Sequence, residues 1–139
     1  MITYFDTSAF VPLIIEEPSS ALCERLWAKS SGLISSRLIF VESKAAFAMA
    51  HRMRRITPAQ LKSSNRILEK LIIGFDFVEV EESLVSLAGE LTQKFDLRGY
   101  DAIHLASCHL VRNDDLILAT GDKQLANAAS SYGISVAKT

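Results

Sequence analysis

Short apolar runs alternate along this chain with longer stretches in which apolar residues recur every three or four positions. Ile2–Phe5, Leu33–Ser35, Phe77–Val80, Leu116–Ala119 and Ser135–Ala137 are of the first kind. Apolar runs without polar alternation predict strands of a parallel sheet, because such strands are covered on both faces. Between them, Leu84, Leu87, Ala88, Leu91 and Phe95 repeat at the spacing of one helix face. Leu125, Ala128, Ala129 and Tyr132 do the same, and Gly133 predicts the stop of that helix. Thr57-Pro58-Ala59-Gln60 predicts a helix start, with Thr57 as cap, Pro58 in the first helical position and Gln60 closing a capping box. This alternation predicts an α/β fold with a mainly parallel sheet of about four or five strands, in one domain spanning residues 1–139. Residues 36–75 break the rhythm. Two helical patterns follow each other there with no strand between, which predicts a helical clip standing off the sheet.

Composition narrows the picture mainly by exclusion. Of 139 residues, 49% are apolar and 22% charged, and the net charge is −1, so bulk positive charge cannot be the means of holding a polyanion, although a local basic patch stays open. Cys23 and Cys108 form no CxxC pair and read as buried small hydrophobes in a reducing compartment. The start of the chain carries Asp6 and lacks a basic leader, and no apolar run is long enough for a bilayer. The expectation is a cytoplasmic protein with no membrane partner. No GxGxxG or Walker pattern is present, Ser8 has no GxSxG elbow around it, and His51, His104 and His109 form no zinc pattern.

Candidate chemistry comes from four acids set in strongly apolar surroundings. Asp6 follows Ile-Thr-Tyr-Phe, Glu42 follows Leu-Ile-Phe-Val, Asp101 precedes Ala-Ile-His-Leu-Ala, and Asp122 follows Leu-Ile-Leu-Ala-Thr-Gly. Carboxylates are seldom buried unless something pairs with them. Crowded together, they require a proton or a cation, and a hard divalent ion, Mg²⁺ or Mn²⁺, suits an all-oxygen site. Parallel sheets bind ligands at the carboxyl ends of their strands. Asp6 ends the first strand and Asp122 follows the fourth. Asp101 stands near a helix start, and Glu42 about two turns into the helix after the second strand. Taken singly, each acid has a plainer reading: Asp6 and Asp122 as helix N-caps, Asp101 as a first-turn charge, Glu42 on a solvated face. Together they predict one site. His104 lies three residues after Asp101 on the same helical face, where it orients that carboxylate, touches substrate or, more simply, packs or caps.

With these residues in hand, the chain resembles a PIN-domain ribonuclease of the VapC toxin type. The matching segments are Tyr4-Phe5-Asp6-Thr7-Ser8-Ala9, the neighbourhood of Glu42, Leu97-Arg98-Gly99-Tyr100-Asp101-Ala102-Ile103-His104-Leu105-Ala106 and Ala119-Thr120-Gly121-Asp122-Lys123-Gln124-Leu125. Each alone is weak, but the ordered set covers nearly the whole chain. The resemblance implies a three-layer α/β/α fold and an endoribonuclease dependent on Mg²⁺ or Mn²⁺. It implies a metal site of Asp6, Glu42, Asp101 and Asp122, with further hydroxyls from Ser8 and Thr120, a homodimer, and a cognate antitoxin that silences the enzyme. Mg²⁺ takes only one or two carboxylates directly. Asp6 and Asp101 are therefore expected as direct ligands, and Glu42 and Asp122 as direct or water-mediated ones.

A negative crevice repels RNA, and the segment His51–Lys70 offers compensation. It holds Arg52, Arg54, Arg55, Lys62, Arg66 and Lys70 against Glu69 alone. These cations read as RNA contacts, as a surface for an acidic partner, or as a solvated helical face. Two rival functions remain at this point. One is a phosphohydrolase of the haloacid dehalogenase kind with Asp6 as nucleophile, although Ser8 stands where that chemistry wants a second Asp. The other is a non-catalytic RNA- or partner-binding module.

Overall fold

The computed structural model describes residues 1–139. Five strands, β1 (Ile2–Phe5), β2 (Gly32–Ser36), β3 (Asp76–Val78), β4 (Leu116–Thr120) and β5 (Ser135–Lys138), form one sheet in the order β3-β2-β1-β4-β5. Every neighbouring pair is parallel. The chain runs from β1 outward through β2 to β3, then crosses to the other side of β1 to lay down β4 and β5. The strand order therefore reverses between β1 and β4, which pair in register from Ile2–Leu116 to Phe5–Ala119. A crevice opens beyond the carboxyl ends of two strands at such a reversal.

Seven helices cover the sheet: α1 (Thr7–Phe10), α2 (Ser20–Lys29), α3 (Ile39–Arg52), α4 (Pro58–Leu71), α5 (Glu82–Phe95), α6 (Gly99–Leu110) and α7 (Lys123–Ser131). Alternate residues of the central strands point to opposite faces. Tyr4 and Leu118 enter a core with Leu84, Leu91, Leu105 and Leu125 from α5, α6 and α7. Phe5 and Ala119 enter the other core with Phe10, Phe47, Leu68 and Phe75, against which Trp27 packs. The result is the three-layer α/β/α arrangement. The unbroken apolar runs belong to β1 and β4 because these interior strands are covered twice. No helix is long and apolar enough to cross a membrane.

Local signals explain the element ends. Thr57 accepts a hydrogen bond from the Gln60 N–H while the Gln60 side chain accepts from the Thr57 N–H, closing the capping box expected at the start of α4. Gly133 takes φ +85°, and Ile134 N–H reaches back to the Ala129 carbonyl at 2.9 Å, closing α7 in a Schellman turn. Two expectations need correction. The helical clip, α3 with α4, does not stand free, because Phe47 and Leu68 are fully buried against the sheet face. Glu42 lies in the first turn of α3, not two turns in. The strand before it ends at Ser36, and the Ser36 hydroxyl accepts from the Leu38 N–H at 3.2 Å, so the helix begins almost at once.

Candidate metal centre

Asp6 leaves the end of β1 and caps α1, its Oδ1 accepting from the Ala9 N–H at 3.0 Å. The Ser8 hydroxyl donates to the same oxygen at 2.7 Å, and the Thr120 hydroxyl donates a short hydrogen bond to Oδ2. Ser8 in α1 and Thr120 at the end of β4 thus fasten Asp6 from two sides. Ser8 Oγ also accepts from the Gly121 N–H at 2.8 Å, and Thr120 Oγ1 accepts from the Asp122 N–H at 3.0 Å, which locks the turn after β4 onto the Asp6 loop. The two hydroxyls, expected as further groups near a metal, are here both spent on the Asp6 carboxylate. Asp6 itself is 3% exposed. Burial pushes its carboxyl above the ordinary value, with the charge of His104 and the three donated hydrogen bonds pulling the other way.

Asp122 is the N-cap of α7, with Oδ1 accepting from the Leu125 N–H at 2.8 Å. Asp101 stands in the first turn of α6. The two share one cation. Arg98 Nε donates to Asp101 Oδ2 at 3.0 Å, and its Nη2 donates to Asp122 Oδ2 at 3.1 Å. Asp101 is nonetheless held above the ordinary carboxylate value, first by burial and further by the charge of Asp122, with Arg98 opposing.

Glu42 meets the crevice from α3. Its Oε1 accepts from the Thr7 hydroxyl at 3.0 Å and lies 2.7 Å from His104 Nε2. The other ring nitrogen of His104 lies 2.9 Å from the Tyr4 hydroxyl, so a buried line runs Tyr4–His104–Glu42 from the core to the rim. Burial alone would lower the His104 pKa. The Glu42 hydrogen bond and the charges of Glu42, Asp6 and Asp101 outweigh it, and the net shift is upward.

All four acids therefore fall in one hydrogen-bonded neighbourhood beside the carboxyl ends of β1 and β4, and two plainer readings hold as well: Asp6 and Asp122 are N-caps, yet each cap uses only one oxygen. They are not gathered into a closed ring, and no group of three His, Cys, Asp or Glu side chains is drawn together around a metal position. Donor chemistry is nevertheless that of a hard cation. Glu42 Oε2 and Asp101 Oδ1 have no protein partner, and Asp6 uses about three of its four lone-pair sites. The side chains of Asp101, Glu42 and Asp122 keep 14%, 20% and 22% of their surface, which opens those oxygens to an ion from solvent.

Other expectations land elsewhere. Arg52, Arg54, Lys62 and Arg66 are exposed at the far end of α3, in the turn after it and along α4, and Arg55 is paired with Glu17 at 3.2 Å. Arg52 lies ten residues along α3 from Glu42, about 15 Å of helix. Three participants were not foreseen in their present roles. Arg98 is three residues before Asp101, a spacing that places both on one face of the helix start and was open to reading. His104 serves Glu42 rather than Asp101. Tyr4, in the middle of a strand, carried no signal beyond apolar burial.

Residues 3–130 match the family model described as the PIN domain. The chain is 37% identical over 136 residues to ribonucleases VapC45 and VapC49 of Mycobacterium tuberculosis, covering 98% of this chain and 94% of either relative. Among solved structures, M. tuberculosis VapC20, described as a Sarcin-Ricin loop cleaving toxin, superposes with a TM-score of 0.71 at 17% identity over 99% of both chains. A toxin–antitoxin complex from Klebsiella pneumoniae superposes with a TM-score of 0.64 at 20% identity, covering 89% of this chain and 90% of that one.

Proposed function

The chain belongs to the PIN-domain family, among its VapC ribonucleases, and from that premise we propose a divalent-metal-dependent endoribonuclease acting as the toxin of a toxin–antitoxin pair. The observation that carries the metal reading is the meeting of Asp6 with the Thr120–Asp122 turn at the strand reversal, with Asp101 and Glu42 delivered to the same crevice by α6 and α3. Asp6 and Asp101 are read as the direct ligands of Mg²⁺ or Mn²⁺, and Glu42 and Asp122 as direct or water-mediated ones. When bound, the ion supplies Lewis acidity at the phosphodiester and lowers the pKa of a water.

The chain's own residues do the rest. Ser8, Thr120 and the Ala9 N–H orient the Asp6 oxygens, so that little side-chain freedom is lost when an ion arrives. Thr7 and His104 hold Glu42 by Oε1 and leave Oε2 free to take a proton from the attacking water. Ser8 Oγ is spent between Asp6 and the Gly121 N–H, so it offers nothing to a phosphoaspartyl pathway.

RNA is the proposed substrate, with Arg52, Arg54, Arg55, Lys62 and Arg66 as its distal phosphate contacts or as a surface for an acidic partner. The proposed antitoxin has a place to lie. Leu38, Phe40, Val41, Ile73, Phe77 and Val80 line an apolar groove at the exposed β3 edge of the sheet. Exposed apolar surface of this kind beside an edge strand suits a partner segment. A homodimer is the expected assembly.

Cleavage of a mixed RNA pool tests the proposal. Wild-type protein should cut with Mg²⁺ or Mn²⁺ and stop with a chelator, and Asp101→Asn should lose at least about a hundredfold in rate, since a metal supplies several kcal/mol of transition-state stabilisation. Equal cleavage in chelator would remove the ion from the reaction.

A further inference from the structure

Arg98 has no part in the hydrolytic machinery described so far, yet its guanidinium is wedged between two of the four carboxylates. Its Nε lies 3.0 Å from Asp101 Oδ2 and its Nη2 lies 3.1 Å from Asp122 Oδ2. The side chain is 74% exposed, against 14% for Asp101 and 22% for Asp122. Nothing else ties it down. Arg98 is the N-cap residue of α6, but its side chain makes no capping hydrogen bond.

Charge explains why a cation sits here. Two facing carboxylates repel unless something neutralises them, and the exposed guanidinium supplies one positive charge to both. An exposed ion pair is a weak tie, because solvent screens it and side-chain entropy opposes it. A divalent ion brings twice the charge on a smaller body. It can enter at the free Asp101 Oδ1, but Asp122 Oδ1 already caps α7, so to reach Asp122 it competes with Arg98 for Oδ2. The charge of the ion repels a guanidinium held on the same two carboxylates and loosens its hold on them. Once released, the guanidinium remains beside the site on a long flexible stem, and its planar fork fits a phosphate through two hydrogen bonds.

We infer that Arg98 is a displaceable internal cation, which holds the Asp101 and Asp122 carboxylates while no metal is bound, yields them to a divalent ion, and then takes a backbone phosphate of the RNA. This rests on the metal-dependent reading above and adds to it a residue that couples metal entry to substrate binding. Coupling of this form is reciprocal: phosphate held by Arg98 disfavours its return to the acids and so tightens the metal.

The arginine Nε–Hε signals in a ¹H–¹⁵N spectrum report each step, and Arg37 serves as internal control because it makes a comparable pair with Glu79 away from the crevice. Saturating Mg²⁺ should shift the Arg98 signal and leave that of Arg37 in place. Inorganic phosphate, added next, should move Arg98 in the Mg²⁺-loaded protein and not in the metal-free protein. In a separate calorimetric titration without RNA, Arg98→Gln should bind Mn²⁺ severalfold more tightly than wild type, while Asp101→Asn should lose the site. Absence of any Asp101-dependent Mn²⁺ binding would sink the metal reading and this inference with it. An Asp101-dependent Mn²⁺ site with an unmoved Arg98 signal, with no phosphate response, or with no gain in Arg98→Gln would leave the metal reading standing and overturn the role given to Arg98.

Discussion

Asp6 does two jobs with one carboxylate, and its substitutions should separate them. As a cap it needs an acceptor for the Ala9 N–H, which asparagine also provides. As a proposed ligand it needs a negative charge, which asparagine lacks. Burial already disfavours that charge, as its raised pKa shows. Asp6→Asn should therefore abolish RNA cleavage while its denaturation midpoint stays level with wild type or rises slightly. A fully active Asp6→Asn protein would defeat the ligand assignment. His104 poses the opposite case. It is 2% exposed and joined at both ring nitrogens, to Tyr4 and Glu42. His104→Ala should cost about 2–3 kcal/mol in urea unfolding, because it opens a cavity and leaves the buried Tyr4 hydroxyl without its partner. Loss of cleavage should exceed what the unfolded fraction explains, since Glu42 loses the partner that orients it.

Among the elements, α4 and α6 illustrate two ways for a helix start to matter. The start of α4 is a local device. Thr57 and Gln60 satisfy each other's backbone N–H groups far from the acids, so Thr57→Ala should cost about 1 kcal/mol and leave Mn²⁺ affinity unchanged. The start of α6 is instead part of the crevice, with Arg98 at its N-cap and Asp101 in its first turn. The paired helices α3 and α4 link the two ideas. Their bases are held in the core by Phe47 and Leu68, and α3 delivers Glu42 to the rim at one end and Arg52 to solvent at the other. Arg52→Ala combined with Arg55→Ala should weaken RNA binding and flatten its salt dependence, with the log–log slope falling by about two. Unchanged binding would make this stretch a solvated face.

For the molecule as a whole, the crevice imposes a pH dependence on stability. Asp6, Asp101 and His104 all bind protons more tightly in the folded state than their ordinary values imply. The sign follows from linkage: a group whose pKa rises on folding stabilises below its unfolded pKa and loses that contribution as pH climbs through the folded one. For His104 the loss begins above the ordinary value of 6.5, and for the two aspartates above 3.8. Metal-free protein should therefore show a urea midpoint that falls as the pH climbs above 6.5, and His104→Gln should flatten that fall. Mn²⁺ should raise the midpoint at neutral pH by binding the folded state alone, about 2.7 kcal/mol at a hundred times its Kd, and should do so far less in Asp101→Asn.

Much of this protein is written in short stretches of chain. The strand runs, the Thr57 capping box, the Gly133 stop and the acids after β1 and β4 depend on neighbours within a few residues, and local sterics and hydrogen bonding settle them. The four-acid set could be assembled by reading because each acid sits at a strand end or helix start, where a parallel sheet gathers its ligands. What no local rule contains is which distant groups meet. Thr120 reaches Asp6 across 114 positions, His104 reaches Glu42 across 62, and Arg98 reaches Asp122 across 24. Those meetings follow from the crossover that sets β4 beside β1 and from the packing of α3 and α6 against opposite faces of that pair. Burial and charge then select partners by proximity in space, and that choice exists only once the sheet has closed.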